Sequence, residues 1–243
     1  MIKKVLKLLR PLGFIAACSL FLFQASSAAG QEKKEALDVI GAKCDFGYVP
    51  YGTIVKHRAT LINQSDTVVN ITRVVPGCGC TQIPLKTKVL KPGDSLEVEM
   101  TFETGKIHPG QFEKSPAIYT DNRETPRVTF HIYGLNLKSD EPQPPIRVEP
   151  KTISFTKGGS AGGIRVEIYN GGSRNVFPHL VDELKSPYVD VEMPIRQIVP
   201  GKKEIMTVKL QAAKMEISRS DESITLVFND AKQTRWTIPI TIN

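Results

Sequence analysis

Apolar and polar residues alternate along most of the chain with a period of two. Ala59, Leu61 and Asn63 share one parity, as do Leu96, Val98, Met100 and Phe102, and then Val128, Phe130 and Ile132. Successive side chains of a strand point to opposite faces, so this alternation predicts strands buried on one side. Turn-forming clusters break the pattern about every ten residues, at "NQSD", "KPGD", "HPGQ" and "TDNRETP". No window shows the 3.6-residue apolar period of an amphipathic helix. The predicted fold class is all-β, built as immunoglobulin-like antiparallel β-sandwiches.

The pattern occurs twice. "VLKPGDSLEVEMTFETGK" (89–106) parallels "IVPGKKEIMTVKLQAAK" (198–214), and "IYTDNRETPRVTFHIYG" (118–134) parallels "LVFNDAKQTRWTIPITI" (226–242). "HRATLINQS" (57–65) parallels "IRVEIYNGG" (164–172), so the offset is about 108 residues. Between the copies, 138–146 is dense in proline and charge and reads as a stiff linker. The expected organisation is a sandwich over 31–137, that linker, and a second, diverged sandwich over 147–243. Each is expected to have its own core, since about a hundred residues bury enough apolar surface for one. "KGGSAGG" (157–163) has no helix after it and reads as a hairpin loop.

The first thirty residues differ from the rest. Lys3, Lys4, Lys7 and Arg10 precede an apolar run, and small residues from Ala25 to Gly30 follow it. This is the order of a secretory signal peptide, with cleavage expected within Ala28 to Gln31. The apolar run, 11–23, is shorter than the ~20 residues of a membrane span. Ile15-Ala16-Ala17-Cys18 offers an alternative, a lipobox with Cys18 as the lipid attachment point, although the apolar "SLFLF" follows it. Export places the protein in the periplasm or envelope of a bacterium, or on a membrane if Cys18 is lipidated.

Export also revises the charge. The whole chain is +7, but its first thirty residues hold four basic and no acidic residues. Residues 31–243 carry 28 basic against 25 acidic residues, or +3. A charge so small and scattered predicts no nucleic-acid partner. The sequence lacks Gly-x-Ser-x-Gly, a glycine-rich phosphate loop and His-Glu-x-x-His, and no enzyme is expected. Glu97 and Glu99 fall on outward strand positions, where carboxylates are usually solvated.

The candidate chemistry lies in "VVPGCGCTQIP" (74–84), where Cys78 and Cys80 flank Gly79 after a Pro-Gly strand end. Three readings stay open. The loop is purely structural, or the pair is a dithiol or disulfide, or two thiolates hold a soft metal such as Cu(I). Lys86 and Lys88 offer the loop only distant positive charge. Cys44 shares its parity with Phe46 and reads as a small, buried core thiol. If "VPYG" (49–52) closed a hairpin, Cys44 would lie beside Ala59, and if "NQSD" (63–66) closed the next, Val55 would lie beside Pro76 and the cysteine loop near Thr53. Cys44 would then sit about 20 Å from the loop, beyond the ~7 Å reach of a disulfide. His57 falls on the inward face of its strand as a core residue, while His108, His131 and His179 have no partner in view.

"CDFGYVPYGTIVKHRATLINQSDTVVNITRVVPGCGCT", "LKPGDSLEVEMTFETG" and "YTDN" resemble the bacterial immunoglobulin-like family called domain of unknown function 1573, a relative of Hydin-like (ASH, MSP-type) domains. The likeness covers about 45–135. It includes the Phe-x-Phe-Gly opening, the Asn ending the second strand, the Cys-Gly-Cys-Thr loop and the Pro-Gly turn. Cys44 departs from it, standing where an aromatic or aliphatic residue is usual. The resemblance implies an exported, non-catalytic sandwich. Two classes of function follow. One is an envelope module that binds or spaces another envelope protein or a glycan. The other is a thiol-redox or copper-binding protein using Cys78 and Cys80.

Overall fold

The computed structural model describes residues 35–156, 162–181, 186–211 and 220–243. The first thirty residues expected to be a signal peptide, with Cys18, and most of the "KGGSAGG" stretch lie outside them. The described chain is all-β and forms two immunoglobulin-like sandwiches. The first comprises β1 (Leu37–Ile40), β2 (Lys43–Pro50), β3 (Ile54–Asn63), β4 (Val69–Val75), β5 (Thr81–Gln82), β6 (Val89–Leu90), β7 (Ser95–Glu103), β8 (Gly110–Lys114), β9 (Ala117–Thr120), β10 (Arg127–Thr129) and β11 (His131–Leu137). The second comprises β12 (Ile146–Glu149), β13 (Ile153–Phe155), β14 (Ile164–Asn170), β15 (Pro178–Leu180), β16 (Val189–Glu192), β17 (Lys203–Leu210), β18 (Ser220–Phe228) and β19 (Arg235–Ile242).

The alternating positions form the cores. Ala59, Leu61, Leu96, Val98, Met100, Phe102, Val128, Phe130 and Ile132 are all buried in one apolar cluster, together with Cys44 and Phe46. A second cluster gathers Val166, Ile168, Met206, Val208, Ile224, Leu226, Phe228 and Trp236. At corresponding places two buried asparagines close the turns. The Asn63 amide donates to the carbonyls of Thr67 (2.8 Å) and Leu90 (3.0 Å), while its oxygen accepts the Ser65 N–H (3.0 Å). Asn170 donates to the carbonyls of Arg174 (2.8 Å) and Ile198 (2.7 Å) and accepts the Gly172 N–H (2.9 Å).

Strand pairing departs from the expected register. β2 and β3 do not form a hairpin. β3 lies in the sheet β1-β3-β7-β5, whereas β2 lies in another, between β11 and β19 and parallel to both. Parallel neighbours cannot be joined by a two-residue turn, so Tyr51-Gly52 carries the chain between sheets. Val55 pairs with Phe102 rather than lying beside Pro76, because β3 and β4 also belong to opposite sheets. β13 and β14 fall in different sheets too, so these two strands do not pair as a hairpin.

One sheet runs through both sandwiches in the order β15-β18-β19-β2-β11-β8. The junction is Tyr48 of β2 against Trp236 of β19, with ring centroids 5.3 Å apart. Beside it, the Thr237 hydroxyl donates to the Phe46 carbonyl (2.6 Å), and the Ser223 hydroxyl accepts the Lys56 N–H (3.1 Å). Glu222, fully buried, meets Lys56 at 3.1 Å and Arg58 at 2.9 Å, and both cations also reach Glu99 (3.0 and 3.1 Å). Glu99 is therefore part of this joint and not an isolated solvated carboxylate.

Candidate functional site

The cysteine loop is held at the end of the first sandwich by backbone pairing on its far side. Val75 ends β4 opposite Ala117, and Gly77 turns with φ +83°, a left-handed conformation that glycine adopts without cost. The chain then crosses to the opposite sheet, where Thr81 pairs with Phe102 and the Cys80 carbonyl accepts the Glu103 N–H (2.8 Å). The next residue, Thr104, is tied by its hydroxyl to the Thr53 N–H (2.8 Å). The loop therefore does end near Thr53, although by way of β7 and not through the expected hairpins.

Within this frame Cys78 and Cys80 are joined in a disulfide, with Cα atoms 5.2 Å apart. Of the three readings, the joined pair is the one the structure displays. Among the described residues no group of three or more His, Cys, Asp or Glu side chains could hold a metal ion. The two sulfurs have unequal surroundings. Cys80 is 2% exposed and part of the apolar core, whereas Cys78 is only half-buried against it. The Cys80 N–H donates to Cys78 Sγ (3.3 Å). The buried Thr81 hydroxyl lies 3.4 Å from Cys78 Sγ and 3.8 Å from Cys80 Sγ. Lys86 is not at the loop's service, since it pairs with Glu97 across an exposed surface (3.7 Å).

Cys44 is a free thiol, 2% exposed. Burial pushes its thiol well above the ordinary range, Asp45 adds to the rise, and Arg235 partly opposes it. His57 is also buried, with Nε2 2.6 Å from the Gly41 carbonyl oxygen. His131 stacks on Tyr133, and His179 meets Phe177 edge-on.

The chemistry that sequence reasoning missed is the joint. Burial pushes the Glu222 carboxyl up, but Arg58 and then Lys56, with the Ser220 hydroxyl, outweigh it and hold the group below its usual value. A signal was present, because Glu222 shares the parity of Ile224, Leu226 and Phe228, an apolar face where a lone carboxylate needs a partner. Beside the joint an open groove of about 630 Å³ takes its walls from both sandwiches, Asp45, Gln111 and Tyr133 on one side and Lys232 and Arg235 on the other.

Residues 37–134 match the family described as "Protein of unknown function (DUF1573)". No curated protein matches the chain. Among solved structures, a protein of unknown function from Porphyromonas gingivalis W83 is 13% identical over 86% of this chain and 99% of that one, with a TM-score of 0.37. The ASH/PapD-like domain 7 of human CEP192 is 11% identical over 57% and 99%, with a TM-score of 0.36. The periplasmic chaperone SfaE is 10% identical over 85% and 100%, with a TM-score of 0.31. The family match lies within the first sandwich, which carries the Cys-Gly-Cys-Thr loop, and spans 98 of the chain's 243 residues.

Proposed function

We propose that the protein is an exported, non-enzymatic envelope module that holds a partner across the junction of its two sandwiches. The observation that carries this reading is the groove beside β2. Both sandwiches line it, and a continuous sheet and a buried ion cluster hold them together. Two loosely tethered sandwiches would bind as separate heads. Two that share a sheet present one composite surface, on a rigid frame of the kind that commonly carries recognition loops. The groove is mixed in character, with Asp45 and Glu113 facing Lys232 and Arg235 beside the Tyr133 ring. That suits a polar protein segment or a glycan better than an apolar ligand. The basic, apolar, small order of the first thirty residues supports export.

The test is retention of a detergent-solubilised bacterial envelope fraction on the immobilised mature chain, followed by mass spectrometry and glycan analysis. The same measurement is made on a Tyr133→Ala/Lys232→Ala variant. A defined component held by the native chain and lost from the variant is expected. Retention that is indifferent to both substitutions would place the binding surface elsewhere.

A further inference from the structure

The second sandwich contains a counterpart of the cysteine loop. Cys80 gives its carbonyl to the Glu103 N–H, and Thr81 pairs with Phe102. In the second sandwich Tyr188 gives its carbonyl to the Gln211 N–H, and Val189 pairs with Leu210. Tyr188 thus stands where Cys80 does, and Ser186 where Cys78 does. The turn is the same as well. The Tyr188 N–H donates to Ser186 Oγ at 3.2 Å, as the Cys80 N–H donates to Cys78 Sγ at 3.3 Å. Ser186 is fully buried, so a hydroxyl fills this place at the rim of the core. The frame requires an acceptor at the first position and no cross-link. A bond between residues two apart also closes too short a loop to constrain the unfolded chain much. The cystine is therefore an addition to a turn that folds without it.

What it adds follows from the unequal burial. An incoming group can reach the half-buried Cys78, while Cys80 is sealed in the core. A Cys-x-Cys disulfide closes a small ring, and small-ring disulfides are readily reduced. The Thr81 hydroxyl, within reach of both sulfurs, can donate to whichever one carries charge.

We infer that the Cys78–Cys80 disulfide is a thiol-exchange site that accepts two electrons from a partner dithiol, with Cys78 as the attacked sulfur and Cys80 as the leaving one. A partner thiolate attacks Cys78 Sγ. A new S–S bond forms as the Cys78–Cys80 bond breaks, and the electron pair leaves on Cys80, which takes up a proton beside Thr81. The partner's second thiolate then attacks its own sulfur in the mixed disulfide, and Cys78 leaves as a thiolate and is protonated. The partner has become a disulfide and the protein a dithiol, two electrons and two protons having passed between them. Nothing in this reading depends on the groove or its occupant.

The experiment mixes the oxidised mature chain with a synthetic peptide carrying two reduced cysteines, without denaturant. The expected result is one peptide disulfide formed per chain, a gain of two hydrogens on residues 78–80, and unchanged far-ultraviolet circular dichroism. Single variants then test the roles against oxidised glutathione. Cys80→Ser, which leaves Cys78 alone, should become glutathionylated about tenfold or more faster than Cys78→Ser, which leaves only the buried Cys80. Cys78→Ser should fold, because Ser186 already serves the same turn, and the native circular dichroism of Cys80→Ser is checked before its rate is read. A peptide that stays reduced, a disulfide that opens only in denaturant, or two variants that react equally would each overturn the assignment.

Discussion

A single buried side chain ends β3 in the first sandwich and the corresponding β14 in the second. Asn63 and Asn170 satisfy two carbonyls and a backbone N–H apiece, groups that have no water to turn to once the loops close over them. Asn170→Ala should therefore lower stability by about 2–4 kcal/mol in urea titrations, as orphaned buried acceptors do, and Asn63→Ala by a similar amount. A loss below about 0.5 kcal/mol, the range of a plain surface substitution, would mean that water replaces the amide. These asparagines were legible in the sequence, since a polar residue closing an inward apolar parity signals a turn that it must cap. Cys44 was legible for the same reason, through its parity with Phe46. The inequality of Cys78 and Cys80 was not. Neighbouring residues in an irregular loop have no periodicity, and only the crossing to β7 sends one sulfur inward.

Among the elements, β2 has the most consequence, and it was the least predictable. Its alternation marks it as a strand but does not name its neighbours. The assumption that consecutive strands form hairpins pairs it with β3, yet it runs parallel to β11 and β19 instead. Parallel pairing joins segments far apart in sequence, so no local signal encodes it. Gly47 makes the arrangement possible. It sits at φ +62°, and a Cβ there would strike the Arg235 backbone of β19. Register against β11 also slips nearby, between Tyr133 and Leu135. Gly47→Ala combines a left-handed backbone, which disfavours alanine, with a clash against main chain. It should cost about 2–4 kcal/mol and redden the emission of Trp236, the chain's single tryptophan, as β19 parts from β2. Gly52 also has positive φ but open space around it. Gly52→Ala is the control for backbone strain alone, and its emission should stay unchanged. Equal reddening in both variants would show that the Arg235 contact does not hold the junction.

At the scale of the whole molecule, the two copies were visible as repeated pattern, but their union was not. The union depends on Lys56 and Arg58 finding Glu222 more than 160 residues away, a distance at which charges in a sequence carry no pairing information. Removing one partner from such a buried cluster typically costs about 3–5 kcal/mol, because the remaining charges stay desolvated. Acid removes a partner without mutation. The Glu222 carboxyl is held below its ordinary value of 4.5 in the folded protein. The unfolded chain therefore binds this proton more readily than the folded one. The stabilisation is complete above pH 4.5 and is lost as pH falls through the lowered folded value. Below that, neutral Glu222 leaves Lys56 and Arg58 with Glu99 as their remaining carboxylate. Urea titrations at a series of pH values should show native stability dropping steeply on the acid side of 4.5. In Glu222→Gln the curve should be lower at neutral pH and flatter below 4.5, since the titrating group is gone. Trp236 packs against Tyr48 at the junction, so its emission should shift at the acid limb in the native chain before circular dichroism changes. Parallel acid limbs in the two proteins would assign the pH dependence to other carboxylates and leave the joint held by the shared sheet alone.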